Sequence, residues 1–170
     1  HSCVANTRHA TVDTATFCLL AVVDLKAGEE IPTSYKAGSL GSIVRRPPFK
    51  QLRNFDCRCR RCSDPTELGT QASSIRCPVS RCPGHCLPLD CLVYTSDWKC
   101  DKCGNILAAD EAIDITERVQ CLYKEGGSGL EDMEKTLERI LEKVHSRHYI
   151  AMQVKRMLML MYGNCKTHRF

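Results

Sequence analysis

The chain has 170 residues, of which 43% are apolar, 26% charged and only 6% aromatic. That is a globular composition with a core of aliphatic side chains. No apolar run is long enough to span a bilayer and no signal peptide is visible at the amino end, so no membrane partner is expected. The formal charge is +4, but 13 cysteines change its meaning. Their odd number and their C-x-C and C-x-x-C pairs point to zinc in a reducing compartment rather than to disulfides. A four-thiolate zinc site carries a net charge of about −2. Two such sites cancel the formal +4 and with it any general attraction to nucleic acid. The first residue is His rather than Met, and the chain is expected to be part of a longer one.

In chain order, residues 1–10 are small, polar and aperiodic, and read as a loop. Thr14 to Leu25 is rich in Thr, Val, Leu and Phe, which suits a strand. Lys26-Ala27-Gly28-Glu29 supplies a turn, and Glu30 to Tyr35 reads as a second short strand, with Pro32 marking an edge or an irregular end. Gly38 to Asn54 reads as a loop and then a short helix. Pro47-Pro48 forbids one continuous helix from Ser42, and Pro48 suits a first helical position. Phe49, Leu52 and Phe55 then fall on one apolar face.

That face leads into Phe55-Asp56-Cys57-Arg58-Cys59-Arg60-Arg61-Cys62. A C-x-C-x-x-C array lets a tight turn aim three sulfurs at one point, and structural zinc prefers a fourth thiolate. Cys3 is the candidate, which would tie the opening loop to the thiol-rich turn. Arg58, Arg60 and Arg61 read as a solvated rim that offsets thiolate charge. After a turn-rich link, Ser63 to Gly69, comes Cys77-x4-Cys82 and then Cys100-x-x-Cys103. Two thiol pairs on two turns form a zinc-ribbon pattern, its first pair wider than the usual knuckle. Cys86, His85 and Cys91 are rival ligands. Cys18, Cys121 and Cys165 lie on apolar faces and read as buried small hydrophobes.

From Asp110 onward the pattern turns helical. Ile113, Val119 and Leu122 form an apolar stripe that stops at Gly126-Gly127. Ser128 and Glu131 have capping-box spacing. Leu130, Met133, Leu137, Ile140, Leu141 and Val144 give the strongest helical period in the chain. Ile150, Val154, Met157, Leu158 and Met161 mark a third helix after a short break at His145 to His148, which implies an antiparallel pair. The array is expected to continue past Phe170.

Three stretches, taken in order, resemble the second half of a SET domain: His1-Ser2-Cys3-x-x-Asn6, then Leu25-Lys26-Ala27-Gly28-Glu29-Glu30-Ile31-x-x-Ser34-Tyr35, then Phe55-x-Cys57-x-Cys59-x-x-Cys62. With Asp64-Pro65-Thr66-Glu67, the ribbon-like stretch and the terminal helices, the chain looks most similar to the SET and MYND (SMYD) lysine methyltransferases of the arthropod type. The likeness is strong over 1–62 and loose over 63–170. The family's aromatic position near the substrate channel holds Arg53 and Asn54 here.

The resemblance implies an α+β fold in four parts: the second half of a SET domain over 1–54, a post-SET zinc segment over 55–68, a zinc-ribbon-like insert over 69–108, and the start of a repeat-like helical domain over 109–170. It implies methyl transfer from S-adenosylmethionine to a lysine of a histone or other protein, in the cytoplasm and/or nucleus, by the full-length parent; the isolated chain is expected to be inactive. Tyr35 matches the active-site tyrosine. His1 and Ser2 match the cofactor-contacting segment, and Phe55 an aromatic against the adenine or the channel wall. Asn6 holds the loop. Two zinc ions are implied, one on Cys3, Cys57, Cys59 and Cys62, the other on Cys77, Cys82, Cys100 and Cys103. The competing reading is a non-catalytic, zinc-stabilised protein-interaction module. Direct nucleic-acid binding is not expected, because no helix with base-reading residues lies between the ligand pairs.

Overall fold

The computed structural model describes residues 1–35 and 39–164. Cys165 lies outside them. The fold mixes antiparallel strands and helices, as the α+β reading expects. No helix among the described residues is long and apolar enough to cross a membrane.

The first unit is a hairpin of β1 (Thr7–Thr11) and β2 (Phe17–Ala21), registered from Thr7 opposite Ala21 to Thr11 opposite Phe17. Its turn is held by Asp13, whose carboxylate accepts the amides of Ala15 and Thr16 at 2.8 Å each. The strand expected over 14–25 is thus shorter, and the expected loop over 1–10 contains its partner. Small polar residues gave β1 no pattern to read; cross-strand pairing makes it a strand. Phe17, Leu19 and Leu20 are exposed, and Cys18 is half-buried rather than a core residue.

The strand expected over Glu30 to Tyr35 is not formed. Pro32 has no N–H to give a ladder, and the segment is held instead by groups of the opening loop. The Asn6 amide donates to the Glu30 carbonyl at 2.8 Å, the Thr7 hydroxyl to the Pro32 carbonyl at 2.8 Å, and the Ser2 amide to the Thr33 carbonyl at 3.2 Å. Asn6 therefore ties the loop, as expected.

Helices α1 (Ser42–Arg45) and α2 (Pro47–Arg53) are separated at Arg46, and Pro47 opens the second. A proline costs nothing there because the first amides of a helix lack partners anyway. Asn54 then turns left-handed, at φ 54°, and stops the helix. Phe55 is therefore not on the helix, and Leu52 is exposed, so the expected three-residue apolar face does not form. Phe55 stacks on buried Phe49 from outside the helix, with ring centroids 5.3 Å apart.

A four-stranded antiparallel meander follows: β3 (Ile75–Arg76), β4 (His85–Pro88), β5 (Trp98–Cys100) and β6 (Ile106–Leu107). Ile75, Cys86, Trp98 and Leu107 fill its core with Ala112 of the next helix. That helix is α3 (Ala109–Glu125), then α4 (Leu130–Leu141) and α5 (Tyr149–Asn164). The expected capping box at Ser128 is not made. Gly129 occupies the cap of α4 with no side-chain bond, and the first-turn acids Glu131 and Asp132 complement the helix dipole instead. The three helices close over Val119 of α3, Met133 and Ile140 of α4, and Ile150, Val154 and Leu158 of α5. Cys121 is exposed, not buried. The sheet is tied to the α4–α5 link by backbone bonds: Arg76 amide to Lys143 carbonyl at 2.9 Å and His145 amide to Ser74 carbonyl at 3.0 Å.

Candidate functional site

The opening loop, α1–α2 and the turn after Phe55 bring Cys3, Cys57, Cys59 and Cys62 together, and all four sulfurs lie within 4.8 Å of one another. Cys3 Sγ is 3.9 Å from Cys57 Sγ and 3.6 Å from Cys62 Sγ. A tetrahedral zinc with sulfurs at ~2.3 Å requires sulfur–sulfur separations of about 3.8 Å. Cys77, Cys82, Cys100 and Cys103 form a second such group, with 3.6 Å between Cys77 and Cys103 and 3.7 Å between Cys82 and Cys100. Both clusters can hold a zinc ion in a closed, four-thiolate structural site.

The rival ligands fall elsewhere. Cys86 is buried in the ribbon core, opposite Cys100 in the register, and burial pushes its thiol up to about 11. His85 packs its ring against His145 at 4.6 Å. Burial and then the Asp90 carboxylate act against ionisation of Cys91, whose thiol rises to about 11 against the help of its own backbone amide; its carbonyl accepts from Arg46.

The first cluster carries a feature the sequence reading missed. Arg45 is fully buried. Its Nε donates to Cys3 Sγ at 3.1 Å, its Nη2 to Cys62 Sγ at 3.5 Å and its Nη1 to Glu67 Oε2 at 3.0 Å, with the Leu40 carbonyl as a further acceptor. Arg61 Nη2 reaches the same Glu67 oxygen at 3.1 Å. Arg61 is thus buried in a charge network and not part of a solvated rim, whereas Arg58 and Arg60 are exposed. Two guanidiniums share one carboxylate here. A surplus positive charge in a dry site needs a counter-charge, and ionised thiolates beside Arg45 provide it. This fits a metal-bound thiolate cluster better than four neutral thiols. No sequence signal distinguishes these charges from surface ones, although a buried group of thiolates calls for a cation nearby.

The thiols themselves are split by their surroundings. The hydrogen bond from Cys3 is the main cause that draws Cys62 down to about 5, against burial and with help from Arg45; the same bond, with burial, drives Cys3 up. In the ribbon, burial opposes ionisation of Cys100, but the amides of Cys103 and Lys102 outweigh it and bring the thiol to about 6. Burial first of all raises Cys77.

Beside the first cluster the chain gathers an aromatic group. The His1 ring lies 4.5 Å from Phe49, 4.9 Å from Tyr35 and 5.6 Å from Phe55. His1 Nδ1 accepts the Tyr35 amide at 3.2 Å, which leaves Nε2 as the protonated nitrogen, 3.5 Å from Cys3 Sγ. The imidazole therefore connects the thiol cluster to Tyr35. Tyr35 is half exposed, and the Arg53 guanidinium covers its ring at 5.2 Å from the centroid. Ser2, Phe55 and Pro32 line an adjoining open cleft of about 720 Å³ together with His1. Tyr35, His1, Ser2 and Phe55, matched to a site on motif order alone, are thus neighbours.

No protein-family model matches the chain. The chain is similar to the SET domain-containing protein SmydA-8 of Drosophila melanogaster, isoforms B and A, at 32% identity over 106 residues in each case. That is 62% of this chain and 24% and 23% of the two relatives. The matched segment spans about a quarter of the length of those relatives.

Proposed function

From homology to SMYD-type SET-domain proteins, we propose that the chain carries part of the catalytic site of a protein-lysine methyltransferase of the cytoplasm and/or nucleus. One observation supports the reading above the others. Three segments far apart in sequence place His1, Tyr35 and Phe55 against one another, and His1 and Phe55 also line an open cleft.

S-adenosylmethionine would supply an activated methyl group on a sulfonium. His1, Ser2 and Phe55 fit as one wall of its site: a flat ring surface and small polar groups facing a cleft of suitable size. Tyr35 packs against His1 and Phe55, where its hydroxyl can orient an incoming neutral lysine amine and face the positive charge that develops on it. The His1 bond to the Tyr35 amide fixes the backbone from which that ring projects. The thiol clusters do no chemistry in this reading. The first of them, through Cys3, holds the opening loop where the cleft needs it.

Tyr35→Phe in the complete protein tests the assignment. Methyl transfer to a histone mixture, read by mass spectrometry, is expected to fall by about 100-fold or more with both zinc ions retained. Undiminished transfer in the variant removes Tyr35 from the site. No transfer by the parent protein favours the alternative, a zinc-stabilised interaction module, for which exposed Met157, Met159 and Leu160 on α5 offer an apolar surface.

A further inference from the structure

We propose that Arg45 and Glu67 form a built-in charge clamp on the first thiol cluster, with Arg45 a positioning residue for its metal. The inference rests on this chain's own geometry and does not need the methyltransferase reading.

Four thiolates around one zinc leave about two units of negative charge. In a buried site that charge must be met locally. The Arg45 fork meets it twice, through Nε on Cys3 and Nη2 on Cys62, the first and last ligands in sequence. Glu67 keeps the fork in place. Its Oε2 accepts from Arg45 and Arg61, while its Oε1 accepts the Ser42 amide at 2.8 Å and the Ser73 hydroxyl at 2.6 Å. Every carboxylate oxygen is thus occupied by protein donors, and the side chain is 1% exposed. The clamp also joins α1 to the segment after the cysteine turn, since Ser42 opens that helix.

An N–H donated to a metal-bound thiolate lowers the electron density that the sulfur offers to an electrophile. Cys3 and Cys62 should therefore resist alkylation, whereas the ribbon sulfurs, which among the described residues take backbone amides such as Gly84 to Cys82 and Lys102 to Cys100, should react first. Removal of the fork should speed Cys3 and Cys62 and leave the ribbon sulfurs unaffected.

The test is site-resolved alkylation of the zinc-loaded full chain with iodoacetamide, read by peptide mass spectrometry. In the parent chain Cys3 and Cys62 are expected to react about 10-fold or more slowly than Cys82 and Cys103. In Arg45→Met/Glu67→Gln, which removes the fork and its carboxylate together, Cys3 and Cys62 are expected to accelerate by about 10-fold while the ribbon rates stay fixed. Arg45→Lys keeps the charge but not the fork, and should fall between. Equal acceleration at both clusters, or none at Cys3 and Cys62, overturns the proposal. Should the double variant not fold, the parent chain loaded with cadmium-113 still decides. A scalar coupling from the metal to the Arg45 Nε proton is expected across the hydrogen-bonded sulfur, and its absence from a resolved Arg45 signal overturns the clamp.

Discussion

The two thiol clusters solve one coordination problem by opposite means. In the ribbon, the paired sulfurs come from positions 26 and 18 residues apart, and the donors that face them are backbone amides of their own turns. The knuckles make the site, and little else is needed. In the first cluster, Cys3 meets Cys57 and Cys62 across 54 and 59 positions, so most of the chain's first third must be folded before the ligands meet. Its donors include a buried side chain, Arg45, beside the backbone amides of its own turn, and Cys3, Cys57 and Cys62 are buried while Cys103 of the ribbon is exposed. A local site tolerates exposure; a long-range site closes a long loop and therefore constrains far more of the chain.

The sharpest way to break this contrast is to remove one ligand from each cluster. Cys62→Ser should lower bound zinc by about one equivalent, counted by native mass spectrometry, and should release residues 1–35 to fast amide exchange. Structural zinc contributes on the order of 10 kcal/mol to folding of the segment it closes, which is more than the few contacts of the exposed hairpin supply. Cys103→Ser should likewise lower zinc by about one equivalent yet leave exchange over 1–35 unchanged. If either variant empties both sites, the clusters are one cooperative unit and the contrast fails.

Much of this difference was legible in the residues themselves. C-x-C-x-x-C and the two ribbon pairs are local chemistry, and their spacing alone nearly determines which sulfurs meet. Cys3 was found through motif order, not distance. What the sequence hid is non-local. Arg45 and Glu67 look like any surface charges until the fold buries them. The β1 strand has no apolar alternation, and the segment over 30–35 has the composition of a strand but receives its hydrogen bonds from the opening loop. Leu52 follows the helical period of Phe49, yet the left-handed Asn54 ends the helix before the face is complete. Ser128 and Glu131 have capping spacing, but the cap falls one residue later, at Gly129.

Acid should act on the fold that both clusters share, and less strongly than loss of a ligand. His148 is buried at the start of α5, its Nδ1 accepting the Ile150 amide at 3.3 Å in the manner of a helix cap. Burial, followed by the charge of His145, lowers it to about 3. Because the folded value lies below the unfolded one, the folded state prefers neutral imidazole. The stabilisation is complete above the unfolded value and drains as pH falls toward the folded one. From pH 7 to pH 5 the loss should be about 2 kcal/mol, seen in thermal unfolding at constant zinc content. His148→Asn keeps a capping acceptor and removes the titration, so its stability should fall less over that interval. An unchanged slope in the variant would assign the acid sensitivity to the thiolates instead.

The smallest effect probes a bridge between the clusters. Tyr94, on the ribbon loop between β4 and β5, donates its hydroxyl to Asp56 Oδ1 at 3.1 Å, next to the ligand Cys57. The Arg46 guanidinium stacks on the same ring, 4.7 Å from its centroid, and reaches the Leu92 carbonyl at 3.0 Å. Tyr94→Phe keeps the stacking and removes only a partly exposed hydrogen bond, worth about 0.5–1 kcal/mol. If the clusters are independent, that loss should appear as slightly faster amide exchange near Asp56, with both zinc ions retained and both alkylation patterns intact. Faster reaction of Cys57 together with ribbon thiols would mean that this contact couples the two sites, and that the first cluster depends on the ribbon after all.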